Sequence, residues 1–215
     1  IAEIGTKPYL VMEYADSGSL QKWITERRIT VPMAVNYALQ FCEGMQHAVS
    51  TANMVHRDIK PANILIKDNL ILKIADFGLA KAFDWPEEGG LPDMKPTGRA
   101  ISQYGAGTRP YMAPEQFVSI ADADTRSDVF SCGAMLYDML TCRQPFARMS
   151  SDEMAIRNTL PQPACDVNTQ VPERLSEIVA RCVAYDPEER YQSFEELEAD
   201  LLVIAGELPG RLPLP

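Results

Sequence analysis

The sequence predicts a mainly α-helical fold with one small β-ribbon, and three observations support this. Apolar residues recur with helical spacing from Val31 to Val49, and the segment Ser127–Thr141 is apolar on nearly all faces. Two short apolar pieces on either side of Asp68-Asn69 have the pattern of an antiparallel pair. With 215 residues, 46% of them apolar, the chain is long enough for one good-sized domain or two small ones.

The remaining elements follow in chain order. The opening "IAEIGTKPYLVMEY" indicates a strand whose second part, Tyr9–Tyr14, is apolar and is followed by a turn-rich "ADSGS". Thr30-Val31-Pro32 has the hydroxyl and early proline of a helix start. Later helix starts are predicted from Pro172 and from two capping boxes, which are Ser150 with Glu153 and Ser193 with Glu196.

Two segments lack regular spacing. Residues 81–104 are rich in proline, glycine, acids and hydroxyls, which is typical of a long functional loop or of disorder. Residues 207–215 are proline-rich and are interpreted as a linker or tail. No internal repeat is recognised.

Charge and cysteine content restrict the function classes. The net charge of −10 argues against non-specific nucleic-acid binding, although a local site with metal and lysine is still compatible with phosphate ligands. No apolar run is long enough to cross a bilayer, and no leader peptide is recognised. The five cysteines include no CxxC pair, so we interpret them as reduced core thiols in a cytoplasmic protein.

Three motifs occur in order: "HRDIKPAN" at residues 56–63, "ADFGLA" at 75–80 and "YMAPE" at 111–115. Their order, and the 18 positions from Asp58 to Asp76, resemble the eukaryotic-type (Hanks-type) serine/threonine protein kinases. The resemblance covers nearly the whole chain and implies a protein kinase-like fold of which only the large, C-terminal lobe is present. It implies a kinase domain over residues 1–206, with the hinge region at 1–18 and the activation segment at 76–115.

The resemblance also implies ATP and Mg²⁺ as cofactors, and the chemistry agrees with the residue types. Asp58 would orient or deprotonate the substrate alcohol, and Lys60 would offset charge on the transferred phosphoryl group. Asn63 and Asp76 provide hard oxygen ligands for magnesium. Taken singly, Asp58 could instead pair with Arg57, Asp76 could be a turn residue, and Asn63 could cap a turn.

The same resemblance places the adenine pocket beside the first strand. Met12 would guard the back of the pocket, backbone groups of Glu13 and Ala15 would bind the adenine edge, and Leu65 would form its floor. The alternative for this strand is a buried edge strand that binds no ligand.

Further positions are implied to be supporting ones. Glu115 would pair with Arg190, and Asp128 would hold backbone amides of the catalytic loop, which is the "HRDIKPAN" segment. His56 would pack against Phe77 as part of a hydrophobic spine.

Regulation is also implied. Arg57 would pair with a phosphorylated residue of the activation segment, for which Thr97, Ser102 and Tyr104 are available, with Ser102 or Tyr104 favoured. The acidic insert "DWPEEGG" is an alternative partner for Arg57. Thr108 would form hydrogen bonds with Asp58 and Lys60, as in the serine/threonine branch.

The sequence also departs from the family. It shows no glycine-rich phosphate loop and no "VAIK"-like lysine strand, and Lys7 is interpreted as a surface residue. We therefore expect the small lobe to lie upstream of Ile1, and this chain alone to have little activity. Ala62 replaces an acid that some family members use to bind basic substrates. Two alternatives stay open: a non-catalytic scaffold built on a kinase lobe, and a small-molecule kinase.

Overall fold

A computed structural model describes residues 2–4, 7–9, 12–68, 70–77, 109–119, 122–146 and 161–209, with only the backbone at 2–4 and 7–9. Two antiparallel pairs of strands lie in the first part of the chain: β1 (Ala2–Ile4) with β2 (Lys7–Tyr9), and β3 (Ile64–Ile66) with β4 (Leu72–Ile74). The α-helices of the described segments are α1 (Leu20–Thr25), α2 (Val31–Ala52), α3 (Thr125–Thr141), α4 (Ala164–Val167), α5 (Glu173–Cys182) and α6 (Phe194–Glu207). The predicted mainly α fold with a small β-ribbon is confirmed.

Helix α2 begins where the sequence predicts. The Thr30 hydroxyl accepts a hydrogen bond from the Met33 amide, Pro32 occupies the first turn, and the helix ends at Asn53 in a left-handed conformation. The buried surface of the helix extends beyond the predicted apolar stripe, because the side chains of Tyr37 and Phe41 are also buried. The helix is therefore enclosed over most of its circumference rather than on one face.

Helix α3 is the buried central helix. Asp124 caps it by accepting a hydrogen bond from the Arg126 amide, and every residue from 127 to 140 is buried. Gly133 allows α5 to approach closely, because a Cβ at this position would lie 2.2 Å from Cys182 Cβ. The core lies between α2, α3, α5 and α6, and Phe41 of α2 meets Phe194 of α6 edge to face at 5.8 Å.

The predicted starts of the last two helices are confirmed, with one difference in detail. Pro172 precedes α5, and Ser193 accepts from the Glu196 amide at the start of α6. The Glu196 carboxylate, however, accepts from the Gln192 amide, so the reciprocal half of the capping box is displaced by one residue. Ser150 and Glu153 lie outside the described residues.

The prediction of a strand over Tyr9–Tyr14 is wrong for its second half. Strand β2 ends at Tyr9, and residues 12–15 are in no strand. Met12 and Tyr14 are exposed, because no element of the described chain covers their side chains. An apolar run indicates burial only where a neighbouring layer exists to cover it.

Several predictions about segments are only partly covered by the described residues. The activation segment, predicted at 76–115, is described only at 76–77 and 109–115, and the loop 81–104 lies outside. Helix α6 includes Glu207, the first residue of the predicted tail. All five cysteines are free thiols. Within the described segments, no helix combines the length and apolarity needed to cross a membrane.

Candidate active site

The backbone of the catalytic loop is held by a buried acid. Asp128, at the start of α3, accepts hydrogen bonds from the amides of His56 (2.7 Å) and Arg57 (2.8 Å), as predicted. Burial raises the pKa of Asp128 to about 7, against the opposing effect of these two amides and of Arg57. The bonds hold Arg57 in a left-handed conformation, with φ of 67°, that a non-glycine residue rarely adopts.

The loop brings together three of the predicted site residues. Lys60 Nζ donates to both carboxylate oxygens of Asp58, at 3.0 and 2.7 Å, and Asn63 Nδ2 donates to Asp58 Oδ2 at 3.0 Å. Asn63 also donates to the Asp58 carbonyl at 2.9 Å, which closes the loop on itself. We name Asp58, Lys60 and Asn63 the catalytic-loop cluster.

His56 occupies a structural position beside this cluster. Its Nε2 lies 3.1 Å from the Ala75 carbonyl and its Nδ1 accepts from the Asp58 amide at 3.3 Å, which fits a neutral ring protonated on Nε2. Burial lowers the pKa of His56 and so favours that neutral form. The ring lies 4.5 Å from that of Phe77, so the predicted packing is confirmed.

Asn63 and Asp76 flank one end of the ribbon of β3 and β4 along the backbone. The pairing of Ile64 with Ile74 continues as a hydrogen bond from the Ala75 amide to the Asn63 carbonyl, at 2.9 Å. Asp76 follows with φ of 64° and an exposed side chain. Because the Asn63 amide nitrogen faces Asp58, its Oδ1 can act as a ligand, and two hard oxygens at one edge suit Mg²⁺. Among the described residues, no group of three or more His, Cys, Asp or Glu could hold a metal.

The segment after β2 lies on the ribbon. Glu13 pairs with Lys67 at 2.6 Å and with Lys73 at 3.2 Å, and Ser19 forms an isolated bridge with Leu65. Leu65 is less buried than its neighbours on β3, because it faces away from the helical core.

Glu13 therefore contacts the ribbon to which Leu65 belongs. Ala15 lies between Glu13 and Ser19, the two points where this segment contacts the ribbon, and is half-buried. Met12 is 61% exposed, so it lines no enclosed pocket within the described chain. The roles of these four residues in adenine binding stay predictions.

A second acid–base pair lies at the end of the "APE" motif. Glu115 accepts from Arg190 Nη1 at 2.8 Å and from Nη2 at 2.9 Å, which confirms the predicted pair. The remaining guanidinium donors bond to the carbonyls of Ala184, Arg126 and Tyr185. We name Glu115 and Arg190 the anchor. Burial favours the neutral form of Glu115, but Arg190 outweighs it and holds the pKa of Glu115 below its ordinary value.

Sequence reasoning missed two neighbours of these groups. Ser127 donates to Glu115 at 2.6 Å, and Gln116 bridges the backbone of two separate segments. Both are polar residues inside the fold, and only the three-dimensional structure shows their partners. Several predicted residues lie outside the described chain, namely Thr97, Ser102, Tyr104 and Thr108.

Known protein kinases resemble this chain over nearly its whole length. Residues 1–202 match the family described as "Protein kinase domain". The chain is 37% identical to the serine/threonine-protein kinase PknL of Mycobacterium tuberculosis, over 98% of the chain and 51% of that protein. It is 34% identical to the serine/threonine-protein kinase PknB of Mycolicibacterium smegmatis, over 95% of the chain and 32% of that protein.

The fold and the site thus define a protein kinase-like domain, largely its C-terminal lobe. The chain belongs to the protein kinase domain family. It spans about half the length of PknL and about a third of PknB.

Proposed function

We propose that the whole protein is a serine/threonine protein kinase, which transfers the γ-phosphoryl group of ATP to serine and threonine hydroxyls of protein substrates. The observation that carries this proposal is the catalytic-loop cluster, in which the Asp58 carboxylate accepts hydrogen bonds from both Lys60 and Asn63. The names of the relatives support the substrate class, and the lysine in "DIKPAN" resembles the serine/threonine branch.

Asp58 accepts the hydrogen bond of the substrate alcohol and orients or deprotonates it. Lys60 donates to both oxygens of this carboxylate and can extend its ammonium group to the transferring phosphoryl oxygens. Its side chain is 21% exposed, so Lys60 is only partly buried. The pair thus holds a proton acceptor and a cation side by side, as in-line phosphoryl transfer requires.

Asn63 and Asp76 would hold Mg²⁺ at the end of the ribbon. Bound there, the ion would neutralise charge on the phosphates of ATP. Asn63 would contribute its Oδ1 while its amide nitrogen keeps Asp58 in place, so one residue serves both metal and base.

The adenine ring would lie over Leu65, against the backbone of Glu13 and Ala15, with Met12 behind it. The hydrogen bonds of Ser17 and Gly18 to Ile66 support this proposal, because they hold the segment close to the ribbon. A clamp on the phosphates would come from a small lobe outside this sequence. We therefore expect the 215-residue chain alone to transfer little phosphate. The free cysteines support a cytoplasmic location.

The test uses the full-length protein, radiolabelled ATP, Mg²⁺ and a mixed serine/threonine peptide library. Wild-type protein should label the library, and Asp58→Asn should lower kcat by about 10²- to 10⁴-fold. Asp122→Asn, an exposed acid outside the site, is the matched control and should retain full activity.

Each failure has a distinct meaning. If the wild type binds ATP without labelling any peptide, the protein is a scaffold rather than an enzyme. If this chain alone turns over at the full-length rate, the proposed need for a further lobe is wrong.

A further inference from the structure

Gln116 connects two parts of the site that are distant in sequence. It lies in the helical turn Pro114–Phe117 and is 1% exposed. Its Oε1 accepts from the Ala113 amide at 3.0 Å, which stabilises the turn itself. Its Nε2 donates to the Arg57 carbonyl at 3.0 Å, across 59 residues of sequence. Both ends of one buried amide are therefore satisfied, one locally and one in the catalytic loop.

The Arg57 carbonyl belongs to the peptide group that leads directly into Asp58. On the other side of Arg57, the amide is fixed by Asp128 at 2.8 Å. Arg57 itself has the unfavourable φ of 67°, so its conformation persists only where both neighbouring peptide groups are held. Asp128 holds one of them, and Gln116 holds the other at its carbonyl, where the 3.0 Å bond is shorter than the 3.3 Å bond of the Asp58 amide to His56. The direction in which the Asp58 side chain leaves the backbone depends on the second.

The turn that carries Gln116 is itself fixed. Glu115, the preceding residue, is bound by Arg190 and by Ser127. The amide of Gln116 therefore projects from a rigid base, and its bond to the catalytic loop resists displacement. The same turn begins at Pro114, within the "YMAPE" motif at the end of the predicted activation segment.

We infer that Gln116 is a positioning residue, which fixes the Arg57 carbonyl and thereby aims Asp58 at the substrate alcohol. It couples the end of the activation segment to the catalytic loop through a single side chain. The inference rests on the proposed kinase function. It concerns the geometry of Asp58, so it predicts an effect on kcat and little effect on the KM for ATP.

The decisive variant is Gln116→Glu in the full-length protein. The introduced carboxylate can still accept the hydrogen bond of the Ala113 amide. Its second oxygen, however, replaces the N–H donor and repels the Arg57 carbonyl oxygen. We expect kcat to fall by about 10- to 100-fold, with the KM for ATP within about twofold of wild type. Burial would raise the pKa of the introduced carboxyl, and its protonated form can donate to Arg57. The ratio of variant to wild-type kcat should therefore rise as the pH falls from about 8 to about 6. Gln116→Met, which cannot donate at any pH, should show the loss without this recovery.

Gln40 offers a matched control. Its Oε1 accepts from the Leu72 amide at 2.8 Å and its Nε2 donates to the Leu70 carbonyl at 3.1 Å, the same double contact in the turn of the ribbon. Gln40→Glu should lower the melting temperature about as much as Gln116→Glu and leave kcat near wild type. Equal losses of kcat in both variants would mean that Gln116 affects activity only through the stability of the fold, and would overturn the inference.

A second measurement does not require activity. Hydrogen exchange of the amides at residues 56–58 should be about tenfold or more faster in Gln116→Glu than in wild type, because the loop opens more often. Exchange at wild-type rates would overturn the inference whatever the kinetics. If wild-type protein transfers no phosphate, the proposed function fails, and the exchange rates alone still decide the role of Gln116.

Discussion

The catalytic-loop cluster and the anchor both join an acid to a base, but they use their hydrogen-bonding capacity differently. In the anchor, all five N–H donors of Arg190 are bonded and its side chain is 0% exposed. In the cluster, the Lys60 side chain is 21% exposed beside a buried Asp58, and Asp76, at the end of the ribbon, is exposed.

The difference separates a structural pair from one suited to chemistry. A buried pair with every donor used can bind nothing further, and its value lies in joining Glu115 to a residue 75 positions away. A pair within three residues adds little to the fold, but it holds a carboxylate and an ammonium group where a substrate can reach them. The same interaction type therefore has opposite consequences for stability and for binding.

The largest expected effect is on the anchor. Arg190→Met should lower the free energy of unfolding by about 3–5 kcal/mol, because it removes a fully buried guanidinium group with all its hydrogen bonds and leaves the partly buried Glu115 without its counter-charge. Urea unfolding followed by circular dichroism measures this. The control is Arg181→Met, at a more exposed arginine whose ion pairs are 3.8 and 3.9 Å long. Equal losses in both variants would contradict the assignment of the anchor as the structural pair.

The anchor should also respond to acid. The pKa of Glu115 is lower in the folded than in the unfolded chain, so the ionised form stabilises the fold. That contribution is complete above the ordinary pKa of 4.5 and is lost as the pH falls through the lower, folded value. The stability advantage of wild type over Glu115→Gln should therefore shrink below about pH 4. A constant difference from about pH 7 to about pH 3 would mean that Glu115 does not titrate with folding.

The two regions also differ in what the sequence reveals. The cluster spans residues 58–63, so a short motif is enough to predict which side chains meet. The Glu115–Arg190 pair is predictable only through resemblance to a family. Gln116 escaped prediction, because nothing local distinguishes a buried glutamine from an exposed one.

The strand prediction over Tyr9–Tyr14 failed for a related reason. Apolar composition indicates what a segment can pack against, whereas strand formation also requires a hydrogen-bonding neighbour. Strands β3 and β4 are close in sequence, and each is the hydrogen-bonding neighbour of the other. The prediction of the ribbon was therefore correct.

Asp128 should show the opposite pH response to Glu115. Its pKa is raised from 3.8 to about 7 by burial, so the folded protein keeps a proton that the unfolded chain releases. Its contribution to stability is complete below the ordinary value and declines as the pH rises through the folded one. Asp128→Asn loses one of two backbone contacts, at a cost of about 1–3 kcal/mol at low pH. This deficit should narrow between about pH 4 and about pH 7. A deficit that stays constant over this range would show that Asp128 is ionised in both the folded and the unfolded protein, and would contradict the raised pKa.

The smallest expected effect on stability belongs to the cluster itself. Lys60→Met should lower the free energy of unfolding by less than Arg190→Met does, because the Lys60 side chain is 21% exposed and Asn63 still donates to the buried Asp58. In the full-length protein, the same change should lower kcat by about 10²-fold, since the cation that faces the phosphoryl group is lost. Thermal unfolding and peptide phosphorylation on one preparation measure both. The contrast with Arg190→Met then becomes quantitative, because one variant loses stability and the other loses turnover. A stability loss at Lys60 as large as that at Arg190 would show that the cluster supports the fold as the anchor does.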